Sequence, residues 1–356
     1  MPLMSIISGF IFLDDRGRRR VCTGIIVIAD ERGALVPDPA TSTRFGVGTF
    51  RTTADGQEFA GLVVDELVLD LSVRFPGAAV RDLLDDWDTV FPVLVELADA
   101  PGAWQPLASL DVRAPVAPRQ VLQAGANYRT HVIDLAVQHS EITAERTVER
   151  VRAETGAMMD RRAAEGTPYF FLGLPTVIGG PFDDVVLPDY SRQHDWELEL
   201  AAVIGRRAFR VDRDDALDHV AGYTVVNDLT TRDLVFRKDM PEIGTDWFRA
   251  KNAPGFLPTG PFLVPRQFVG DPGDLRVTLT LNGGTMQDES TKDMIFDVAA
   301  LVAAASHTVP LLPGDLVLTG SPAGNGIHHG RLLRDGDVME GTITGLGTQR
   351  VRTVAP

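Results

Sequence analysis

Three carboxylates carry most of the chemical information in this sequence. In the run Asp195-Trp196-Glu197-Leu198-Glu199-Leu200, which continues apolar to Ile204, an extended backbone puts Glu197 and Glu199 on one face. Trp196, Leu198 and Leu200 take the other. A strand this apolar is predicted to be buried, and buried like charges are unfavourable unless a cation or protons neutralise them. From this run alone, a metal site and the solvated face of an edge strand are equal readings. Asp228 shifts the balance, because it closes a second apolar strand, Ala221 to Asn227, where strand passes into loop. Glu197, Glu199 and Asp228 form an all-oxygen set that suits Mg²⁺, or Mn²⁺ in its place, better than Ca²⁺. Zinc is a lesser alternative: His194 shares the first strand, but its three-residue offset from Glu197 turns it to the other face.

A base for water would have to come from elsewhere. His131 has the side-chain type poised for that near neutral pH, with an unperturbed pKa of about 6.5, although alone it reads as a surface histidine at a helix start. Thr319 and Ser321 flank a glycine-rich turn, Gly320 to Gly326, whose amides suit an anion. His328 and His329 after it read as surface residues. Lys251, in a loop rich in Gly and Pro, reads by itself as a solvated lysine.

These residues need elements to hold them. The chain has 356 residues, 44% of them apolar, enough for one large or two ordinary domains without disulfides. From Arg44 short strands alternate with turns: Phe45 to Arg51, an Asp55-Gly56 turn, then Phe59 to Leu71. A helical stretch from Ala78 to Ala98 contains Pro92, predicted to end or kink it near Phe91. Prolines 115 and 118 mark a boundary, giving a small N-terminal β/α domain over 44–118 and a catalytic domain over 119–356. A strand from Val121 to Ala126 delivers His131. A charged surface helix lies between Ile142 and Gly166, with Val148, Val151, Thr155 and Met158 on its apolar face, so that 131–166 reads as a helical lid. Short strands dominate the rest, with one helix from Ile295 to Ala305. A β-rich α+β fold follows.

Residues 1–43 form an extension or hairpin of unclear role, with Asp14 to Gly17 as the turn and Val21 to Ile28 as the return strand. Its apolar run precedes the basic cluster Arg16 to Arg20, the wrong order for a signal peptide, and is too short to span a bilayer. A formal charge of −15, from 49 acidic and 34 basic residues, opposes binding to nucleic acid or to an anionic membrane. The lone Cys22 allows no internal disulfide, which fits a reduced, cytoplasmic setting.

Several motifs occur together and in order: Gly125-Ala126-Asn127-Tyr128-Arg129-Thr130-His131, Glu197-Leu198-Glu199, Gly222 to Asp228 continuing to Arg232-Asp233, Arg249-Ala250-Lys251, Pro258 to Pro261, Leu281-Asn282-Gly283, and Leu312 to Asp315 running on to Thr319-Gly320-Ser321-Pro322. From about Gln120 to the C-terminus the chain resembles the fumarylacetoacetate hydrolase family. The resemblance implies a mixed β-sandwich roll, a homodimer, and a Mg²⁺ ion on Glu197, Glu199 and Asp228. It implies catalytic roles for His131, for Asp134 as its partner in place of the usual Glu, and for Lys251. Tyr128, Arg129, Lys251, Thr319 and Ser321 become substrate contacts, Ser321 replacing the usual Thr.

The implied activity is hydrolysis of a carbon–carbon bond in an acylpyruvate or related 1,3-diketo acid, as in aromatic-compound catabolism. A 2-oxo acid decarboxylase or a hydratase or isomerase on the same metal site is the alternative, and a non-catalytic metal-binding paralogue a further one. Three departures stand out. A family lysine near Gly173 and a family glutamine at Val235 are missing, and the insertion between His131 and Phe170 is long, which suits a larger lid and a bulkier or more apolar acyl group.

Overall fold

The computed structural model describes residues 42–52 and 56–356, and before them four three-residue strands. Ile11–Leu13 pairs with Arg19–Val21 and Val27–Ala29 with Leu35–Pro37, both antiparallel. The expected turn at Asp14 to Gly17 and Asp55 of the Asp55-Gly56 turn lie outside the described residues.

Two sheets make the core of the larger part. The first has six strands in the order Tyr169–Gly173, Val121–Gly125, Leu316–Leu318, Leu198–Ile204, Val220–Asn227, Val264–Pro265. It is mixed, because Val121–Gly125 runs parallel to Leu316–Leu318 while the other pairs are antiparallel. Its central strands, Leu198–Ile204 and Val220–Asn227, are buried at every position, as an uninterrupted apolar run requires. The second sheet has five strands, Val185–Val186, Gly347–Val354, Val338–Ile343, Arg276–Leu281 and Gly284–Ser290. It packs on the first, and Gly341 permits a close approach: a Cβ there would stand 2.4 Å from Leu198 Cδ1.

The N-terminal part adds a five-stranded antiparallel sheet, from Gln105–Pro106 at one edge to Leu110–Val112 at the other. It shares the main core. Val47 bridges to Leu263, and the Phe45 ring meets Phe268 edge-on at 5.0 Å. The expected break at Pro92 is absent. The chain breaks instead between Val80–Leu84 and Trp87–Asp99, and the second helix runs through Pro92. The proline forfeits one backbone hydrogen bond, while Trp87, Val90, Phe91, Leu94 and Val95 all bury their side chains around it. Packing decides the outcome. Among the described residues no helix is long and apolar enough to cross a membrane.

Two helices follow the Val121–Gly125 strand, Arg129–His139 and Val148–Glu165. The second buries Val151, Gly156 and Met159, so its inner face is rotated from the one expected and Met158 points outward.

Candidate active site

Strand register brings the three carboxylates together. Leu198 pairs with Asn227 and Glu199 with Val226, so the start of one central strand lies beside the end of its neighbour. Two hydrogen bonds fasten that end: Asp228 N–H donates to the Glu197 carbonyl at 2.8 Å, and Glu197 N–H donates to Asn227 Oδ1 at 2.9 Å. Glu197, Glu199 and Asp228 are all buried and offer oxygens within 4.8 Å of one another. His194 is not among them; it hydrogen-bonds Thr231 and the Pro188 carbonyl.

Two cations face this cluster. Lys251 ends the short helix Trp247–Lys251 and is buried, not solvated. Its Nζ donates to Glu197 Oε2 at 2.5 Å and to Asp228 Oδ2 at 2.6 Å. Arg232 pairs with Glu197 Oε1 at 2.8 Å and with Asp195 Oδ2 at 2.7 Å. Burial opposes the charge on Glu197, but Lys251 and Arg232 outweigh it and hold this carboxyl well below the usual range. Burial pushes Glu199 well above that range, with the charge of Asp228 adding to it. Burial also raises Asp228, to about 6, against the pull of Lys251.

The site therefore lacks positive charge for its carboxylates, and Asp228 Oδ1 is buried without a hydrogen-bond partner among the described residues. An all-oxygen triad with a free ligand atom fits a hard divalent cation.

The remaining candidates line the same region unequally. Tyr128 is fully buried beside Glu199 and Thr319, and burial raises its hydroxyl far above its ordinary pKa. His131, in the first turn of Arg129–His139, is 7% exposed, and its Nδ1 is buried without a hydrogen-bond partner among the described residues. Burial pushes its pKa down to about 3, with Glu197 opposing.

Asp134 turns to the helix Val148–Glu165 and pairs with Arg152 at 2.8 Å; no hydrogen bond joins it to His131 among the described residues. Arg129 likewise pairs with Asp160 at 2.9 Å. Thr319 Oγ1 donates to the Leu200 carbonyl, and Ser321 Oγ accepts from Gln287 and Asn325. The glycine-rich turn does hold anions, but they are the protein's own. Gly320 N–H donates to Glu199 Oε2, and Gly326 and Ile327 N–H donate to Asp195. His328, expected at the surface, lies against His131 with ring centroids 5.2 Å apart.

Residues 120–354 match the family described as fumarylacetoacetate (FAA) hydrolase C-terminal. The chain belongs to the fumarylacetoacetate hydrolase family. It is 44% identical over 188 residues to a 2,4-didehydro-3-deoxy-L-rhamnonate hydrolase of Sphingomonas sp. (strain SKA58), covering 51% of this chain and 64% of that one. A mitochondrial oxaloacetate tautomerase of Xenopus laevis is 30% identical over 285 residues, 79% of this chain and 80% of that one. The match spans between 57% and 64% of the length of the first curated relatives. Among solved structures, maleylpyruvate hydrolase from Sphingobium sp. SYK-6, in complex with manganese(II) ion and pyruvate, superposes with a TM-score of 0.67 at 26% identity. That likeness covers 87% of this chain and 99% of the other. A fumarylacetoacetate hydrolase from psychrophilic Exiguobacterium antarcticum gives 0.67 at 28% identity, over 88% and 100%.

The structure also explains one departure from the fumarylacetoacetate hydrolase pattern. A Cβ at Gly173 would lie 2.6 Å from Oε1 of Gln123, a fully buried side chain beside Asp228. Gln123 thus fills the space a longer residue at 173 would need. Val235, at the position of the family glutamine, is buried. Sequence reasoning missed Gln123, Arg232 and His328 as site residues. The alternation Val121, Gln123, Gly125 was the only local signal for the first, a polar residue on an otherwise apolar strand.

Proposed function

We propose that the protein is a divalent-metal-dependent hydrolase that cleaves a carbon–carbon bond in an acylpyruvate or related 1,3-diketo acid. The observation that carries this reading is the buried triad with Lys251 locked onto two of its members. Glu197, Glu199 and Asp228 would hold Mg²⁺ or Mn²⁺, which supplies Lewis acidity toward the oxygens of a 2-oxo acid.

The chain's own residues do the rest. Lys251 keeps its proton: burial opposes its charge, but Asp228 and Glu197 hold its pKa above the ordinary value. It is placed to neutralise a substrate carboxylate or enolate oxygen that arrives between it and the triad. His131, buried and near enough to Glu197 and Lys251 to feel their charges, would be the second polar group a substrate meets. The helix Val148–Glu165 covers the helix that carries His131 and keeps bulk water from it, through Arg152 on Asp134 and Asp160 on Arg129. Asp134 and Arg129 in this reading hold the lid, and Tyr128, Thr319 and Ser321 shape the wall behind Glu199. A homodimer in the cytoplasm is the setting proposed with it.

A second reading, keto–enol isomerisation of a 2-oxo acid on the same residues, draws support from the longer likeness to an oxaloacetate tautomerase. One assay separates the two. Purified protein is incubated with Mg²⁺ or Mn²⁺ and a panel of acylpyruvates and 2-oxo acids, and products are identified. Two acids formed per diketo acid consumed is the expected result; conversion of enol to keto form without cleavage would favour isomerisation, and turnover insensitive to chelation would overturn the metal assignment.

A further inference from the structure

One corner of the site gathers buried polar atoms that lack partners. Oε1 and Nε2 of Gln123, Oδ1 of Asp228 and Nε1 of Trp247 are each buried without a hydrogen bond among the described residues. Buried polar groups are nearly always paired, by protein, by water or by a ligand. Strand register brings these residues together. Glu199 and Ala201 project to one face by alternation, Ala201 pairs with Leu318, Leu318 with Gln123 and Gln123 with Phe171, so Gln123 and Phe171 share the sheet face of Glu199. Burial raises the pKa of Asp228, and Gln123 is among the groups that oppose the rise, which sets its amide beside that carboxyl. Phe171 in turn stacks on Trp247 at 4.7 Å, and Lys251 Nζ stands 5.7 Å from the Phe171 ring and 6.0 Å from the Trp247 ring. A ligand that extends from the triad past Asp228 and Lys251 meets Gln123 and this aromatic pair next.

The corner is polar but carries no free cation. Lys251 commits its three donors to Glu197 Oε2, Asp228 Oδ2 and the Asp228 carbonyl. Arg232 is divided between Glu197 and Asp195. A divalent cation on the triad would leave positive charge for the one carboxylate of a 2-oxo acid and no partner for a second. A second carboxylate buried here would be unpaired, which is strongly unfavourable, whereas a neutral amide or hydroxyl meets a donor and an acceptor on Gln123 and a donor on Trp247. We infer that Gln123, with Phe171 and Trp247, forms a subsite for the acyl part of the substrate and selects monoanionic diketo acids bearing a neutral polar group over dicarboxylates. Gly173 belongs to this arrangement: a Cβ there would fall 2.6 Å from Gln123 Oε1, so the glycine lets the amide lie where it does. Gln123 is then a specificity-determining residue, and sites that hydrogen-bond a polar substrate group discriminate more sharply than apolar ones.

This inference rests on the 2-oxo acid reading of the site, and non-reacting probes separate the two failures. N-oxalylglycine and its terminal amide share an oxamate head that mimics a 2-oxo acid, and differ only in whether the tail ends in a carboxylate or a carboxamide. Calorimetry on the Mg²⁺-loaded full-length protein gives their dissociation constants and that of oxamate, which has no tail. The amide should bind about 10- to 100-fold more tightly than N-oxalylglycine. In Gln123→Leu the advantage of the amide over oxamate should fall by about tenfold, a ratio that cancels any change in the metal or the head. Gln123→Ala combined with Gly173→Lys places a cation in the same space and should reverse the order of the two tailed probes. Without ligand, Gln123→Leu should melt no lower than the parent, because it removes unsatisfied polar groups. Equal affinity for the two tailed probes in the parent, an unchanged amide-to-oxamate ratio in Gln123→Leu, or a large fall in its Tm would each overturn the inference, the last by making Gln123 a structural residue. Oxamate binding without discrimination between the tails overturns this inference alone. Failure of oxamate to bind the parent overturns the 2-oxo acid reading and the subsite with it.

Discussion

At the scale of single residues the site is a problem in charge balance. Three buried carboxylates face two cations, and Glu199 and Asp228 retain affinity for protons that a metal must displace. Glu199→Gln removes one charge, so Mg²⁺ binding should weaken by about 10-fold or more while the metal-free fold holds or gains stability, since like-charge repulsion falls. Calorimetric titration together with thermal melting checks both halves, and an unchanged Mg²⁺ affinity would remove Glu199 from the ligand set. Lys251→Met strips the cation from Glu197 and Asp228 and should cost about 3–5 kcal/mol in the metal-free protein, the range for one lost partner of a buried ion pair. Added Mg²⁺ should return part of it, measured as denaturant midpoint.

The sign of the pH dependence follows from Asp228. Its folded pKa, about 6, lies above the unfolded value of about 4, so the metal-free fold binds more protons than the unfolded chain between them. Metal-free stability is full below that window and falls as pH rises through it. Mg²⁺ affinity rises through the same window, and the gain in Tm on adding Mg²⁺ should be larger at pH 8 than at pH 5. The Glu197 and Glu199 pair was legible in the sequence because strand alternation is local. Arg232 and His328 were not, because their partners Asp195 and His131 are 37 residues away and on a different helix respectively, and only tertiary packing joins them.

At the scale of elements, the helix Val148–Glu165 is held by few apolar contacts and several charged ones. Only Val151, Gly156 and Met159 are buried along its length. Its C-terminal end is fastened by Arg162, which donates to the Ala126 carbonyl at 2.5 Å and to the Gly125 carbonyl at 3.4 Å, just before the helix that carries His131. A charged hydrogen bond contributes about 1.5 kcal/mol or more, so Arg162→Ala should speed amide exchange across 148–165 by roughly tenfold. The central strands should be unaffected. Equal acceleration in both would mean that the helix Val148–Glu165 does not open as a unit. That a charged surface helix lies here was readable from composition. Which face it buries was not: an apolar stripe of four scattered residues is too weak to fix the rotation, and the choice between Met158 and Met159 is made by what the neighbouring helix offers. Pro92 teaches the same point from the opposite side, since five buried side chains override a strong local breaker.

At the scale of the whole molecule, the metal triad depends on how two sheets meet. The sequence showed many short strands and few helices, hence the class of fold, but strand order and sheet stacking are non-local and carry no periodic signal. The contact that matters most lies behind the site. Leu198 sits between Glu197 and Glu199, points the other way, and packs where Gly341 of the second sheet has no side chain. In Gly341→Ala the new Cβ would fall 2.4 Å from Leu198 Cδ1, 3.1 Å from Cδ2 and 3.3 Å from Cγ, so the whole leucine must move. Leu198 is fully buried, with no open side to move toward. Overpacking of this kind costs about 1–3 kcal/mol, and because Leu198 shares its strand with both glutamates, Mg²⁺ affinity should fall as well, although Gly341 touches no ligand. Leu198→Ala alone should cost about 2–5 kcal/mol by leaving a cavity. The two changes relieve each other, so the double variant should be more stable than the sum of the single losses predicts, with Mg²⁺ affinity partly restored. Strict additivity in both stability and Mg²⁺ affinity would show that the second sheet supports the fold without setting the geometry of the carboxylates.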